Sequence, residues 1–314
     1  MGTRYVGLGK EVDYGVVAAA TRYLEAITSF SPDPNWVIPP PIVDRAYRKR
    51  NLGRYRTRGT IGEFPVEPEN IGELLYGVFG SVSSAQQGGT SAYLHTFSPG
   101  VQLPSYTIHI STEEKDRRLP GGLVESLTVR LPYDGDGKTR AEIFSGFVET
   151  TDTILTPTIS TLQALNMQNA NSILTIAGLT KRVYIYDLEI TIKNNIPFDL
   201  GSLDGRTASV KRTGQREVTG KFSAFFDETE YNRFVAGTEF TLIVQALGPI
   251  ITGSYPYYLA FELRKCVYLK NVVADIKPQN EPMIMDAPFK AFYDATGGFN
   301  AEAKATLQNT IPSY

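Results

Sequence analysis

The densest concentration of side chains able to do chemistry is basic. Arg45, Arg48, Lys49, Arg50, Arg54, Arg56 and Arg58 crowd one stretch, with Asp44 the nearby acid and Tyr47 and Tyr55 among them. One reading is a nucleic-acid patch, in which guanidinium groups neutralise phosphates and tyrosines stack on bases. The other is an exposed loop and strand that pairs with carboxylates of a neighbouring copy, Glu113, Glu114 and Asp116 among them. The second is preferred: 31 Lys and Arg stand against 33 Asp and Glu, a formal charge of −2, and bulk attraction to nucleic acid usually needs a clearly basic face. Trp36, the lone tryptophan, lies in a loop with Pro32, Pro34 and Pro39. It anchors that loop on its own domain or on a neighbour, the setting where tryptophan contributes most. Trp36, Arg45, Arg48, Lys49, Arg50 and Arg54 are therefore the candidate interface residues.

Other constellations fall short of a reaction centre. His95 and His109 are the two histidines and Cys266 the one cysteine, which leaves no disulfide framework, no cysteine-based zinc site and no multi-histidine centre. Both histidines stand in strand-like or loop contexts and read as satisfied structural groups rather than general bases. No Gly-x-Ser-x-Gly elbow exists. Gly7-Leu8-Gly9-Lys10 lacks the spacing of a phosphate loop. Asp134-Gly135-Asp136-Gly137 resembles the start of a calcium loop, but Ser145 stands at the twelfth position where an acidic ligand is required. It reads as a hairpin turn. Cys266 reads as a small apolar side chain. No enzymatic activity, cofactor or metal is expected.

With 314 residues the chain has room for roughly two domains of about 150 residues each, and 42% hydrophobic content suffices for a real core. The longest apolar run, Phe240 to Ile251, is interrupted by Thr241, Gln245, Gly248 and Pro249 and falls short of the roughly 20 residues a bilayer requires. No charged stretch followed by an apolar one opens the sequence, so no signal peptide is expected. A soluble protein without a membrane partner is expected.

The elements that must position these residues are mostly strands. Tyr106 to Ile110, Leu127 to Leu131 and Val183 to Ile192 alternate apolar and polar residues with period two, the mark of half-buried strands. Ile71, Leu74, Leu75 and Val78 form one helical stripe, with Pro68 at its start and Gly80 at its end. A second helix is expected from Asp227, with Glu228 and Glu230 at its start and Phe234 and Val235 on its apolar face. A third is expected over Ala301 to Gln308. Residues 150–175, rich in Thr, Ser and Asn, read as a connector or a packed arm. The Pro-rich loops Ser31 to Pro41 and Lys277 to Pro288 are long enough to contact partners.

Self-similarity organises the whole. Arg56 to Phe64 precedes the first helix and Glu217 to Phe225 the second, 161 positions later. Both read glycine, any residue, large apolar, two residues, Phe, then an acidic helix start. Leu24-Glu25 matches Leu188-Glu189. Tyr106 to Ile110 is matched to Tyr257 to Glu262, Val124 to Leu131 to Leu269 to Ile276, and Ile143 to Phe147 to Ala287 to Phe292. Two related domains are expected, 1–150 and 176–314, separated by the connector 151–175. Two similar halves let three chains imitate a six-membered ring, and ring closure shields sheet edges that would otherwise pair without control.

The residues then take on a familiar order. Tyr5-Val6-Gly7-Leu8-Gly9-Lys10-Glu11 followed by Tyr14-Gly15, Thr21 to Glu25, the Arg-rich strand ending at Gly59, Glu69 to Leu75, His95 to Gly100 and Leu103 to Thr107 together resemble long-tailed (siphophage-type) phage tail tube proteins in their double-domain form. The resemblance is clearest over residues 1–150 and continues in order over 176–294. It implies a mainly β fold, a β-barrel or sandwich with a flanking helix, related to tail-tube and secretion-tube folds. It also implies a structural virion protein, located in the tail and made in the host cytoplasm. Its self-assembly would be into trimeric pseudo-hexameric rings, or hexamers, stacked as a tube. Viral DNA passes through the lumen without specific binding, and a tape measure protein and tail terminator or baseplate proteins are the implied partners. A conduit must not hold DNA, because phosphate contacts accumulate into strong, salt-dependent binding. A secretion or injection tube shares the fold. A carbohydrate-binding β-sandwich, stacking sugars on Tyr255, Tyr257 and Tyr258, is a second alternative.

Overall fold

A computed structural model describes residues 5–33, 51, 53, 55–112, 114–153, 155–181, 185–197, 214–270 and 283–314. Along the chain the first elements are β1 (Val6–Lys10), β2 (Arg22–Leu24), β3 (Thr28–Asp33), β4 (Arg56–Pro65) and α1 (Ile71–Phe79). A hairpin of β5 (Gly80–Gln86) and β6 (Tyr93–Pro99) follows, then β7 (Tyr106–Ser111), β8 (Asp116–Pro132), β9 (Lys138–Ser145) and β10 (Thr150–Asp152). After the connector come β11 (Ile173–Ile176), β12 (Leu179–Thr180), β13 (Ile185–Lys193), β14 (Glu217–Phe225) and α2 (Glu228–Ala236). β15 (Phe240–Thr252), β16 (Tyr255–Tyr268), β17 (Ile284–Ala291), a 3₁₀ turn at Thr296–Gly298 and β18 (Ala303–Asn309) complete it. The fold is mainly β, as the alternation predicts, and all pairings are antiparallel.

Three ladders share two long strands. The longest runs β3-β4-β9-β8-β13-β14-β17 and ends on the last residues of β16. A second runs β12-β11-β15-β16-β18-β6-β5, and a third β2-β1-β7-β8-β10. β8 and β16 each cross from one ladder to another at a corner. In β8 the corner is Gly121, at φ +67°, where pairing with β7 jumps from Leu119 to Gly122. In β16 it is Lys265, at φ +48°, where pairing with β15 jumps from Leu263 to Cys266. An extra residue in left-handed conformation bends a strand and strengthens its twist, which is how one strand serves two sheets.

Two rows across the long sheet each set a glycine beside an aromatic residue. Phe30, Gly59, Ile143 and Val124 lie side by side on β3, β4, β9 and β8. Ile190, Gly220, Phe289 and Tyr268 lie side by side on β13, β14, β17 and β16. Both glycines leave room for an aromatic ring on a neighbouring strand, Phe30 over Gly59 and Phe289 over Gly220. One contiguous apolar core, from Val6 to Leu307, runs beneath both halves.

α1 is buried nearly all round, ends on Gly80 in left-handed conformation as its sequence predicts, and receives the Tyr106 hydroxyl on its Glu73 carbonyl. α2 starts on Asp227, whose side chain accepts from the Thr229 amide. Its expected apolar face is only half covered: Phe234 packs part-buried against the core, Val235 is 65% exposed, and the fully buried residue of the helix is Glu230. Residues 301–308 form most of a strand, β18, not a helix. The alternation that places Ala303, Ala305 and Leu307 in the core against β16 and β6 overrides the helix propensity of an Ala-rich run. The stretch 150–175 is largely irregular between β10 and β11 and docks by Leu165, which is buried and hydrogen-bonded to Val66 and Gly137. The expected half-burial of Tyr106 to Ile110 gives way to full burial, because residues 11–21 cover the polar side: Thr107 bonds Glu11 and the Ala18 amide, and His109 bonds the Ala18 carbonyl.

Candidate functional site

One face of the long sheet is packed on the core and the other is a shallow, polar trough lined by residues such as Ser126, Thr128, Arg130, Glu189 and Thr191. Charged residues on this face stand opposite one another on neighbouring strands. Lys138 reaches Glu63 at 3.5 Å and Arg58 reaches Glu142 at 3.1 Å between β9 and β4. Arg130 pairs with Asp187 at 2.6 Å between β8 and β13, and Lys221 with Glu189 at 3.5 Å between β14 and β13. Lys290 pairs with Glu217 at 2.5 Å between β17 and β14.

The join between the halves is sheet, not linker. β13 pairs with β8 from Asp187↔Pro132 to Lys193↔Ser126, with Thr128 and Thr191 hydroxyls 3.0 Å apart across it. At its end the second half caps the first helix. The Asn194 amide donates to Val78 O at 3.1 Å and Val124 O at 3.0 Å, and the Arg216 guanidinium donates to Phe79 O at 3.1 Å. The bonds to Val78 and Phe79 satisfy carbonyls that a helix C-terminus leaves without intrahelical partners, and the bond to Val124 ties the same amide to β8. The β5–β6 hairpin of the first half in turn extends the second half's ladder through β18.

Open edges remain. Among the described residues β3 pairs only with β4, and the end of β16 beyond its corner pairs only with β17, at Val267 and Tyr268. Such unpaired backbone groups are a template for another strand. At one end of the long sheet Ile27 and Tyr133 are 83% and 75% exposed, and on loops at the other Val12 and Val101 are 98% and 94% exposed.

Of the residues singled out in the sequence, Trp36, Arg45, Arg48, Lys49, Arg50 and Arg54 lie outside the described residues, as do Asp44, Tyr47, Glu113 and, of the two expected Pro-rich loops, residues 34–41 and 277–282. The described parts of those loops are strand instead, Ser31 to Asp33 in β3 and Ile284 to Pro288 in β17, where pairing with β4 and β14 overrides the prolines. Asp116, taken as an exposed acidic partner for the basic cluster, is buried and accepts from the Tyr5 hydroxyl at 2.5 Å. His95 is buried between the Ser84 hydroxyl, 2.7 Å from Nδ1, and the Asn309 side-chain oxygen, 3.0 Å from Nε2. Burial holds both imidazoles below the usual histidine range. Burial likewise pushes the Cys266 thiol up to about 12, which keeps it an unreactive core group. Tyr257 of the sugar-stacking reading is buried, and its hydroxyl donates to Glu69. Glu11 acts structurally: its carboxylate accepts from Thr107, Gly15 and Gly121 and so ties the N-terminal segment to the β8 corner. No group of three or more His, Cys, Asp or Glu converges to hold a metal ion among the described residues.

A mainly β chain whose long sheet ends, among the described residues, on strands with one neighbour each is of a class whose sheets can be extended by a further strand. The family model described as phage tail tube protein matches residues 3–288. The chain belongs to that family, and its role is that of a structural component of the viral tail, assembling into a tube. A search of curated proteins found no match to the sequence.

Proposed function

We propose that three copies of this chain close their long sheets into one continuous ring, and that stacked rings form the bore through which the viral genome leaves for the host. The observation that carries this reading is strand order. β3-β4-β9-β8 and β13-β14-β17-β16 follow the same order with the same antiparallel pairings, and β8 joins β13 directly. The chain thus contains the kind of join that a second copy must make, the far edge of β16 meeting the open edge of β3. Further counterparts support an internal duplication into units 1–150 and 176–314: β1 and β11 each flank the hairpin strand before a corner, and β10 and β18 each flank the long strand after it. The strand order equates Tyr106 to Ile110 with residues 240–244 rather than with Tyr257 to Glu262, since β7 precedes β8 as β15 precedes β16.

Two equivalent units per chain make a trimer imitate a six-membered circle, and closure removes the open edges. A ring of six chains is the alternative. The polar face of the long sheet then lines the bore, and the exposed apolar residues at its two ends meet the rings above and below. Trp36, Arg45, Arg48, Lys49, Arg50 and Arg54 are proposed contacts between copies or rings on their sequence alone. The tape measure protein and the terminator or baseplate proteins are proposed as partners, with synthesis in the host cytoplasm. A secretion tube would use the same sheet closure; the family match favours the virion. Native mass measurement of isolated rings tests the proposal. A species of about three times 34.7 kDa supports it, and a chain that stays monomeric at concentrations where tubes should form overturns it.

A further inference from the structure

Each of the two helices follows a strand of the long sheet, β4 or β14, yet they are seated by different physics. α1 is seated by Ile71, Leu74, Leu75, Val78 and Phe79, all buried in the core. α2 is seated largely by charge. Glu230 lies 3.4 Å from Lys181 and 3.4 Å from Arg233, and accepts from the Tyr268 hydroxyl at 2.7 Å. Lys181, just after β12, also pairs with Asp227, the residue that caps the helix. Two bases and two acids thus share one pocket, and none of the four side chains is more than 16% exposed. Glu230 Oε1 and Arg233 Nη1 make no hydrogen bond among the described residues, and a buried polar network that is only partly satisfied holds weakly. Desolvation cancels most of what such charges return by attracting one another, whereas loss of one partner leaves an uncompensated buried charge. The cluster therefore fixes a position while adding little net stability. The apolar supplement is small, with Phe234 part-buried and Val235 exposed.

This seat reaches the sheet edge through one side chain. Tyr268 is the last residue of β16, and beyond its corner that strand is held by Val267↔Lys290, Tyr268↔Phe289 and the Leu269 amide, which donates to the Pro288 carbonyl at 2.9 Å. So short a ladder is marginal by itself. Tyr268 is kept in it by its ring, whose centroid lies 4.6 Å from that of Phe240 and 6.0 Å from that of Phe222, and by its hydroxyl on Glu230. We propose that α2 is a latch on the open edge of β16: when seated, its Glu230 holds Tyr268 in the ladder with β17 and the edge can receive a strand, and when lifted it lets that end of β16 detach. The part concerning a received strand rests on the reading that β16 of one copy meets β3 of the next. Short edge strands already discourage uncontrolled pairing. A helix that opens locally adds a second protection, because the template exists only while α2 is seated, and the seated fraction scales the apparent affinity of one copy for another.

Amide hydrogen exchange of the dilute full chain, followed by mass spectrometry, tests the latch without any assembly. In the wild type, residues 228–236 and 266–269 are expected to exchange together, at least about 10-fold faster than α1 after correction for intrinsic rates, as locally opening units do. Glu230→Gln keeps an acceptor for Tyr268 but leaves Lys181 and Arg233 without their buried carboxylate. It should speed exchange of both segments by about 10²–10³-fold and leave α1 unchanged. K181M/E230M/R233M/Y268F replaces the charged seat by an apolar one and should slow both segments, since packed apolar groups replace a buried charge cluster without loss. Equal protection of α1 and α2 in the wild type overturns the latch, as does a Glu230→Gln chain that speeds α2 while residues 266–269 stay protected. If Glu230→Gln exchanges throughout, the apolar variant decides: slowing supports the latch, and faster exchange confined to α2 overturns it. Native mass measurement over a concentration series tests the link to assembly separately. Glu230→Gln is expected to raise the concentration at which rings form at least about 10-fold, and the apolar variant to lower it. Unmoved thresholds overturn that link, and a wild type that forms no rings overturns the reading of the joining edge, while the exchange result still decides the latch.

Discussion

Gly121 and Lys265 occupy the same kind of corner and respond in opposite directions to substitution. Both are in left-handed conformation, where a side chain costs roughly 1–2 kcal/mol. Lys265→Gly is therefore expected to raise stability by up to about 1 kcal/mol, the loss of its 3.9 Å approach to the buried Asp294 offsetting little because Asp294 keeps Arg264 at 3.6 Å and the Thr296 amide as partners. Gly121→Ala meets the same strain and also drives its Cβ into the Phe147 ring, 2.3 Å away, so a loss of about 2 kcal/mol or more is expected. Denaturant midpoints of the two variants check both signs. A second residue-scale prediction concerns pH. Burial holds His95 and His109 below the usual histidine range, whereas in the unfolded chain they titrate near pH 6.5. Between the two values the unfolded chain binds more protons, so stability rises with pH there and is lost as the solution is acidified below about pH 6.5. The thermal midpoint should fall in that direction, and H95Q/H109Q should flatten the slope. Glu67, Glu73 and Glu125, raised by burial, act in the opposite sense, so the comparison with the double variant isolates the histidines. An identical slope in both proteins would contradict the assignment.

At the scale of elements, the second half covers α1 and leaves α2 largely exposed. Tyr314 lies against Gly72 of α1, where a Cβ would meet its ring at 2.0 Å, and stacks edge-on to His95 at 4.8 Å. Its hydroxyl lies 2.5 Å from the Asn309 amide that donates to it. Tyr314→Ala is expected to cost about 2–4 kcal/mol, read from the urea midpoint; a change below about 0.5 kcal/mol would show that the clamp on α1 is not formed. Much of this layer was legible in the sequence. Period-two runs gave the strands, and the Ile71 to Val78 stripe with Gly80 gave α1. What was not legible depended on distant partners. Ala301 to Gln308 has helix-forming composition and becomes a strand only because β16 and β6 offer edges. Val235 looks like a core residue on α2 until the sheet beneath that helix buries Glu230 instead, bonded to the Tyr268 hydroxyl. The Gly-x-apolar-x-x-Phe pattern falls on β4 and β14, each a strand of the long sheet followed by a helix, whereas the β5–β6 hairpin that follows α1 has no sequence signal pointing to its partner β18. The ion-paired face was half visible: alternation puts Arg130 or Glu189 on a polar side, yet which base meets which acid is set by register across strands far apart in sequence.

At the scale of the whole molecule, one sheet spans both halves. Because β8 and β13 pair residue by residue, the halves are held by one sheet rather than as beads on a flexible link. Among the described residues the long sheet ends on strands with one neighbour each, a template for a further strand, and the near-neutral charge of −2 lets copies approach without strong mutual repulsion. The most direct test is a cryo-electron-microscopy reconstruction of tubes assembled from the purified chain. Three chains per ring are expected, with six similar wall segments around the axis, β16 of one chain against β3 of the next, and Arg130, Glu189 and Lys221 facing the bore. A ring in which the β3 edge meets solvent, or in which those side chains point outward, would contradict that arrangement.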